Sequence, residues 1–190
     1  MKVGLFFGSF NPIHNGHLMI ANYFVEFSDI DELWFVVSPH NPLKEKHQLL
    51  NFYDRADMVS MAIKGDDSLY MTDIENSLPQ PSYTIDTLTY IQSRNRYDEY
   101  VLIMGSDQLP SFHKWKNHEE LAKRYMRYVY PRPGFAIDDM DKHTNIQVVK
   151  APLIEISSSF IRQAIAQGKN MRHFLPEKVY TYIRKQHFYQ

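Results

Sequence analysis

The sequence predicts an α/β protein with a Rossmann-like, mainly parallel sheet and helices on both faces. Short runs rich in Val, Ile, Phe and Tyr alternate along the chain with segments of helical periodicity. Strands that alternate with helices form βαβ units with right-handed crossovers, which make a parallel sheet. The 190 residues, 14% of them aromatic, suffice for a large core. We therefore expect a single domain over residues 1–190, in which 157–190 form a C-terminal helical portion.

Six runs have the length of a strand and are bounded by turn or charged residues: 3–7, 33–38, 69–74, 100–104, 126–130 and 146–149. The helical patterns cover 17–27, 52–64, a segment from about 82, 118–124, 157 or 158 to 168, and 176 to about 187. Gly65 follows the second of these helices as a C-terminal cap. The loops 39–50 and 131–145 follow predicted strands, and ligands bind at the carboxyl ends of strands in such sheets.

The composition excludes several classes of protein. Lys and Arg number 21 and Asp and Glu number 22, so the chain lacks the positive field that nucleic-acid binding requires. No cysteine is present, which excludes disulfides, thiolate nucleophiles and cysteine zinc sites. No apolar run is long enough to cross a bilayer. We expect a cytoplasmic protein without nucleic-acid or membrane partners, and a homo-oligomer stays open.

The strongest chemical signal is the segment from Gly8 to His17, which joins the first strand to the first helix. Gly8 lets backbone amides approach a ligand, and Gly16 is expected to let the chain turn tightly into a helix whose N-terminus favours an anion. His14 and His17 can then reach one phosphate. Two histidines at this spacing are more often surface or capping residues, and zinc is a rival ligand, but the first βα loop is where nucleotide phosphates bind.

The second signal is the segment Ile156–Arg162. Three successive serines at a helix start supply a cap and spare hydroxyls, and Arg162 adds a fork of N–H donors one turn later. Taken alone, this pattern also fits a serine cap beside a surface arginine. The common phosphate and nucleophile motifs, G-x-x-x-x-G-K-[ST], G-x-G-x-x-G and G-x-S-x-G, are all missing.

Together, the two segments resemble the H-x-G-H nucleotidyltransferase superfamily, and most closely its bacterial nicotinate-nucleotide adenylyltransferases. Further short segments match the family pattern in the same order along the chain: Pro39–Lys44, Ser82–Thr84 with Thr87-Leu88, Gly105–Asp107, Phe112–Trp115 and Arg132–Gly134. Three positions depart from the usual pattern, since Phe7 replaces a glycine, Asn11 an aspartate and Ser159 a threonine. The loop at 39–46 also differs from the common P-P-H-K pattern, which leaves the role of Lys44 open.

The resemblance implies a nucleotidyltransferase-type fold and the transfer of AMP from ATP to nicotinate mononucleotide, giving nicotinate adenine dinucleotide and pyrophosphate in NAD biosynthesis. The implied partners are ATP and nicotinate mononucleotide. The implied cofactor is Mg²⁺ carried by ATP, with no protein side chain as a ligand. A pantetheine-phosphate adenylyltransferase-like enzyme, a non-catalytic nucleotide-binding regulator and a metal-dependent phosphohydrolase are the alternatives.

The resemblance also implies roles for individual residues. The implied catalytic residues are His14, His17 and Arg162. The implied ATP contacts are Gly8, Ser9, Phe10, His14, Gly16, His17, Lys44, Gly105, Asp107, Ser158, Ser159 and Arg162. The implied mononucleotide contacts are Tyr83, Thr84, Trp115 and Arg132, of which Arg132 would pair with the mononucleotide phosphate. Asp107 matches the ribose site and has a helix cap as its alternative role. Donors at Tyr83 and Thr84 would favour the acid over the amide mononucleotide.

Overall fold

Six parallel strands form the sheet in this computed structural model, which describes residues 1–39, 49–94, 99–135 and 145–190. The strand order is β3-β2-β1-β4-β5-β6, with every neighbouring pair parallel. The bounds are β1 (Lys2–Gly8), β2 (Glu32–Val37), β3 (Leu69–Thr72), β4 (Glu99–Gly105), β5 (Met126–Tyr130) and β6 (Ile146–Val148). The predicted Rossmann-like fold is thereby confirmed.

The helices of the described residues are α1 (Asn15–Phe27), α2 (Phe52–Ile63), α3 (Ile74–Ser77), α4 (Thr84–Arg94), α5 (His118–Arg124), α6 (Ser158–Ala166) and α7 (Glu177–Gln186), with 3-10 helices at Ser106–Lys114 and Arg172–Phe174. Local capping accounts for two of the helix starts. The Asn51 side chain accepts from the Asp54 amide before α2, and the Ser157 hydroxyl accepts from the Phe160 amide before α6. Gly65, with φ of 98°, follows α2 as predicted.

The two faces of the sheet carry separate apolar clusters, because successive side chains of a strand point to opposite faces. On β1, Val3 and Leu5 join one cluster and Phe6 joins the other. The Phe6 cluster receives buried residues of α1, α2, α6 and α7, and the Val3 cluster receives those of α4, the Ser106–Lys114 helix and α5. Helices therefore cover both faces, as the sequence predicts.

The strand order reverses between β1 and β4, which are neighbours in the sheet although two other strands separate them in sequence. In open parallel sheets, ligands bind at such a reversal, outside the carboxyl ends of the strands. Here those ends are Gly8 and Gly105.

A buried arginine holds the chain at this edge of the sheet. Arg55, on α2, is 0% exposed, and its guanidinium donates to four carbonyl oxygens, those of Ser9 (2.6 Å), Ser38 (2.8 Å), Pro39 (2.9 Å) and Leu50 (3.0 Å). Burial lowers the pKa of Arg55 to about 10, so the group keeps its charge at neutral pH. The arginine thus connects α2 to the segments that leave β1 and β2.

Replacing Arg55 with Met should lower the free energy of unfolding by about 3 kcal/mol, because four carbonyl oxygens would lose a charged donor that is itself fully buried. Urea unfolding followed by far-UV circular dichroism measures the change. Arg184→Met, at an exposed position of α7, is the matched control. Equal stability of the two variants would contradict the role assigned to Arg55.

Candidate active site

Two adjoining pockets lie at the carboxyl ends of β1 and β4, with volumes of about 330 Å³ and 490 Å³. We call them the first and the second pocket. Phe7, Gly8, Ser9, Asp107 and Gln108 line both of them. The pockets therefore share a wall at the strand reversal, where two ligands could meet.

The structure brings most of the predicted site residues to these pockets. The first is lined by Gly8, Ser9, Phe10, His14, Gly16, His17, Asp107, Arg132, Ser158, Ser159 and Arg162. The second is lined by Gly8, Ser9, Tyr83, Thr84, Asp107 and Trp115. Gly105 precedes the wall residues, and Lys44 lies outside the described residues. Tyr83, Thr84 and Trp115 thus line the second pocket, whereas Arg132, which the resemblance groups with them, lines the first.

The two histidines stack on each other at the start of α1. Their ring centroids are 3.7 Å apart at an angle of 23°, and His17 Nδ1 accepts from the His14 amide at 3.3 Å. Phe10 contacts the His17 ring edge-on, with centroids 5.1 Å apart. The hydrogen bond from the His14 amide and the contact with the Phe10 ring both fix His17, so its ring has a defined orientation at the first pocket.

His14 is a neutral imidazole at physiological pH. It is 3% exposed, and burial, reinforced by the charge of Arg132, lowers its pKa to about 3. Its Nδ1 is buried and has no hydrogen-bond partner among the described residues. A neutral ring that lines the first pocket can offer a ligand one N–H donor, but no positive charge.

The prediction that Gly16 allows a tight turn before the first helix is wrong. Gly16 lies in the first turn of α1, and the glycines with positive φ among the described residues are Gly65, Gly134 and Gly168. A Cβ at position 16 would instead lie 3.0 Å from His14 Nδ1 and 3.0 Å from Ile154 Cγ2. The glycine is needed because a side chain and another segment approach the helix closely.

The start of α6 is bonded directly to the loop that follows β1. The Ser158 hydroxyl donates to the Pro12 carbonyl at 2.9 Å. The Arg162 guanidinium donates to the Asn11 carbonyl at 2.8 Å and to the Ser159 hydroxyl at 3.3 Å. Residues distant in sequence therefore meet beside the histidines, and the start of α6 contributes to the lining of the first pocket.

Asn11, which differs from the usual aspartate, is 4% exposed and joins three segments. Its side-chain oxygen accepts from the Leu50 amide at 3.3 Å and from the Tyr189 hydroxyl at 2.8 Å. Burial raises the pKa of Tyr189, so the phenol stays a neutral donor. The amide oxygen satisfies both donors without placing a further negative charge at the pocket.

The segment after β4 and the segment after β5 meet at the first pocket. The buried Ser106 hydroxyl accepts from the Arg132 amide at 2.8 Å and donates to the Phe135 carbonyl at 3.1 Å. Arg132 also donates to the Ile154 carbonyl at 3.1 Å, and its Nε lies 3.8 Å from Asp107 Oδ1. A Cβ at Gly105 would collide with the Asp107 carboxylate. Glycine is therefore required where these segments cross.

Two sequence interpretations change at this junction. Gly105 occupies the cap position of the 3-10 helix and Asp107 lies in its first turn, so Asp107 is not the helix cap considered as its alternative role. Arg132, which the resemblance groups with the mononucleotide contacts, lines the first pocket together with the histidines. Its ion pair with Asp107, which lines both pockets, places it beside their common wall.

The second pocket combines a helix start with flat aromatic surfaces. Thr84 begins α4, directly after Tyr83, as predicted. Trp115 is partly exposed and packs on Phe112 with ring centroids 5.5 Å apart. Lys116 Nζ lies 4.6 Å from the centroid of the Tyr83 ring. The pocket therefore has a helix start, aromatic faces and the Lys116 ammonium group, which is paired with Asp86 at 2.8 Å.

Sequence reasoning missed several buried groups that hold the site together. Arg55, Ser106 and Glu75 are at most 2% exposed, and Glu75 lines the second pocket. Ser106 lies inside the segment Gly105–Asp107, which matches the family pattern, and this match was the only indication in the sequence that Ser106 belongs to the site. Arg55 and Glu75 stand in segments without a motif, so nothing in the sequence distinguished them from surface charges.

Within the described ranges, no three His, Asp or Glu side chains lie close enough together to hold a metal ion. In the same ranges, no helix has both the length and the apolar character required to cross a membrane.

A parallel sheet with pockets at its strand reversal is typical of nucleotide-binding proteins, and the family profile narrows the class to nucleotidyltransferases. Residues 5–164 match the profile of the cytidylyltransferase-like family. The structure of "Plasmodium falciparum nicotinic acid mononucleotide adenylyltransferase complexed with NaAD" covers 99% of this chain and 97% of its own, with a TM-score of 0.85. At 20% identity, that likeness concerns the fold alone.

Sequence relatives define the family more narrowly. The chain is 51% identical over 191 residues to a Christiangramia forsetii protein named "Probable nicotinate-nucleotide adenylyltransferase", covering 100% of this chain and 98% of that one. A protein of the same name from Cytophaga hutchinsonii is 48% identical over 189 residues, with the same coverage. The chain belongs to the nicotinate-nucleotide adenylyltransferase family.

Acid should destabilise the protein partly through His14. The unfolded imidazole binds a proton below about pH 6.5, whereas the folded one does so only near pH 3, so stability is present above the unfolded pKa and is lost as the pH falls. Relative to His14→Asn, the wild type should lose about 2 kcal/mol of unfolding free energy between pH 7 and pH 5.

Urea unfolding at the two pH values measures this difference. His173→Asn, at an exposed position, serves as the control for the loss of a histidine. A difference between wild type and His14→Asn that does not vary with pH would show that His14 titrates normally in the folded protein.

Proposed function

We propose that this chain transfers the adenylyl group of ATP to nicotinate mononucleotide, giving nicotinate adenine dinucleotide and pyrophosphate in NAD biosynthesis. The observation that carries the proposal is the pair of pockets with a common wall. One holds the histidines and the start of α6, and the other holds the start of α4 and Trp115. The relatives at about half identity carry the name of this activity, which supports the assignment.

The chemistry of this transfer matches the kinds of side chain present. The mononucleotide phosphate, with a second pKa near 6, is largely dianionic at neutral pH and needs no strong general base to attack the α-phosphorus. The new P–O bond forms in line as the bond to pyrophosphate breaks. Catalysis then consists of positioning and of stabilising negative charge, which requires donors and cations.

In the first pocket, His17 would stabilise the α-phosphoryl group as charge develops. The neutral His14 would donate a hydrogen bond without adding charge. Arg162 would bind the β- and γ-phosphates together with Ser159, with which it already shares a hydrogen bond. The Ser158 hydroxyl is committed to Pro12, so its contribution would come from holding α6 and from its backbone amide.

Mg²⁺ would enter with ATP as part of the substrate. It would supply positive charge to the phosphates as part of the substrate, so the side chains around the first pocket need not include a set of carboxylates. Lys44 remains a proposed further phosphate contact.

The second pocket would hold the mononucleotide. Backbone donors at Tyr83 and Thr84 would meet the pyridine carboxylate at the start of α4, and Trp115 would stack on the ring. Arg132 lies beside the common wall, where the mononucleotide phosphate must approach ATP. From the first pocket it could therefore still pair with the mononucleotide phosphate, the role that the resemblance implies. Asp107, on that wall, would accept from the adenosine ribose.

Purified protein with ATP, Mg²⁺ and nicotinate mononucleotide should release pyrophosphate, and the amide mononucleotide should be a poorer substrate. Donors aimed at a carboxylate are left badly paired by an amide, so kcat/KM should fall by about 100-fold. A coupled pyrophosphate assay measures both. Release of phosphate from ATP alone would indicate a hydrolase, no product would indicate a regulator, and equal kcat/KM values would contradict the predicted selectivity.

Replacing His17 with Ala should lower kcat by about 100-fold or more, because a donor directed at the developing charge is removed. The assay is the same, with circular dichroism to verify folding. His173→Ala removes an exposed histidine and should leave kcat unchanged. A nearly normal kcat in a folded His17→Ala protein would eliminate His17 as the stabilising group.

A further inference from the structure

Glu75 is a buried acid in the wall of the second pocket, and no step described so far uses it. It lies on the short helix α3, directly after β3, and is 2% exposed. The Ser82 hydroxyl donates to Oε2 at 3.2 Å and the Thr87 hydroxyl to Oε1 at 2.9 Å. The Ser38 hydroxyl, just beyond β2, also bonds to the carboxyl group. One side chain therefore connects the end of β2, α3 and the start of α4.

These bonds enclose the segment proposed to receive the pyridine carboxylate. Ser82 and Thr87 flank Tyr83 and Thr84, and both are buried, at 7% and 0% exposure. The Thr87 amide donates to the Tyr83 carbonyl at 3.1 Å, which closes the first turn of α4. Because both flanking hydroxyls are bonded to Glu75, the carboxyl group determines where the first backbone donors of the helix lie.

The chain leading into this segment is held by the same residue. The Gln80 side-chain amide donates to the Glu75 carbonyl at 2.7 Å. Both the backbone and the side chain of Glu75 therefore contact the 80–87 segment. A residue of α3 that served only as packing would need neither of these contacts.

The chemistry of a buried carboxyl group suits this position. Burial raises the pKa of Glu75, which favours the neutral acid. The hydrogen bonds from Ser38, Thr87 and Ser82 act in the opposite direction on this pKa. The Thr87 hydroxyl also lies 3.3 Å from the Tyr83 carbonyl, a second acceptor, so it can accept a hydrogen bond from an amide at position 75 while it donates to that carbonyl.

We propose that Glu75 is the positioning residue of segment 82–84, and that the choice of the acid over the amide mononucleotide depends on its carboxyl group. The inference rests on the proposed function, since it takes the second pocket as the mononucleotide site. Glu75 acts through Ser82 and Thr87 and is not itself a contact of the substrate.

The test compares steady-state kinetics of Glu75→Ala, Glu75→Gln and the wild type. In Glu75→Ala, KM for nicotinate mononucleotide should rise by about tenfold, as expected for the loss of one well-placed hydrogen bond, with KM for ATP within about twofold. The ratio of kcat/KM for the acid to that for the amide should fall by about fivefold or more. Glu75→Gln keeps one acceptor and one donor and should restore both values to within about threefold. Glu26→Ala, exposed on α1, is the control.

Three outcomes overturn the inference: an unchanged mononucleotide KM and acid-to-amide ratio in Glu75→Ala, an equal rise in both KM values, or no restoration by Gln. If Glu75→Ala does not fold, the double variant Ser82→Ala with Thr87→Val replaces it in the test. This variant removes both hydroxyl contacts and should raise only the KM for the mononucleotide. An unchanged KM for the mononucleotide in the double variant would also overturn the inference. A wild type that forms no pyrophosphate overturns the proposed function and this inference with it, whereas an active wild type with an unaffected Glu75→Ala overturns the inference alone.

Discussion

Neighbouring strands β1 and β4 send the chain to opposite faces of the sheet, so a crevice opens between their carboxyl ends. Helix α1, which follows β1, packs in the cluster that contains Phe6, and the helices that follow β4 pack in the cluster that contains Val3. Both strands end in glycine. A Cβ at Gly8 would lie 2.7 Å from the Phe10 ring, and one at Gly105 would collide with Asp107. The common wall of the two pockets is built on these two positions.

The walls of the crevice are held by two buried ionisable groups that share a neighbour. Arg55 donates to the Ser38 carbonyl, and the Ser38 hydroxyl bonds to Glu75. Arg55 also holds the Ser9 carbonyl at the common wall, while Glu75 holds Ser82 at the second pocket. The loops around both pockets are thus fixed by side chains that face the interior. Such preorganisation is what a reaction governed by positioning requires.

Local signals were sufficient for most of the elements. The helix at 118–124 was predicted with the bounds observed, and the serine cap before α6 was recognised because its bonds are made within four residues. The 3-10 helix at 106–114 and the single turn α3 were missed, because neither repeats an apolar pattern long enough to detect. The function of Gly16 was misread for a different reason. Its neighbour Ile154 is distant in sequence, so the close approach that excludes a side chain exists only in the folded chain.

The sequence by itself determined the six strands, most of the helices and the family to which the chain belongs, because these depend on periodicity, caps and short motifs. Tertiary structure alone decided that His14 is neutral, that Arg132 stands beside the first pocket, and that Arg55 and Glu75 are buried. The physical reason is desolvation. The charge and the partners of an ionisable side chain depend on which distant segments exclude water around it, and no local pattern of residues contains that information.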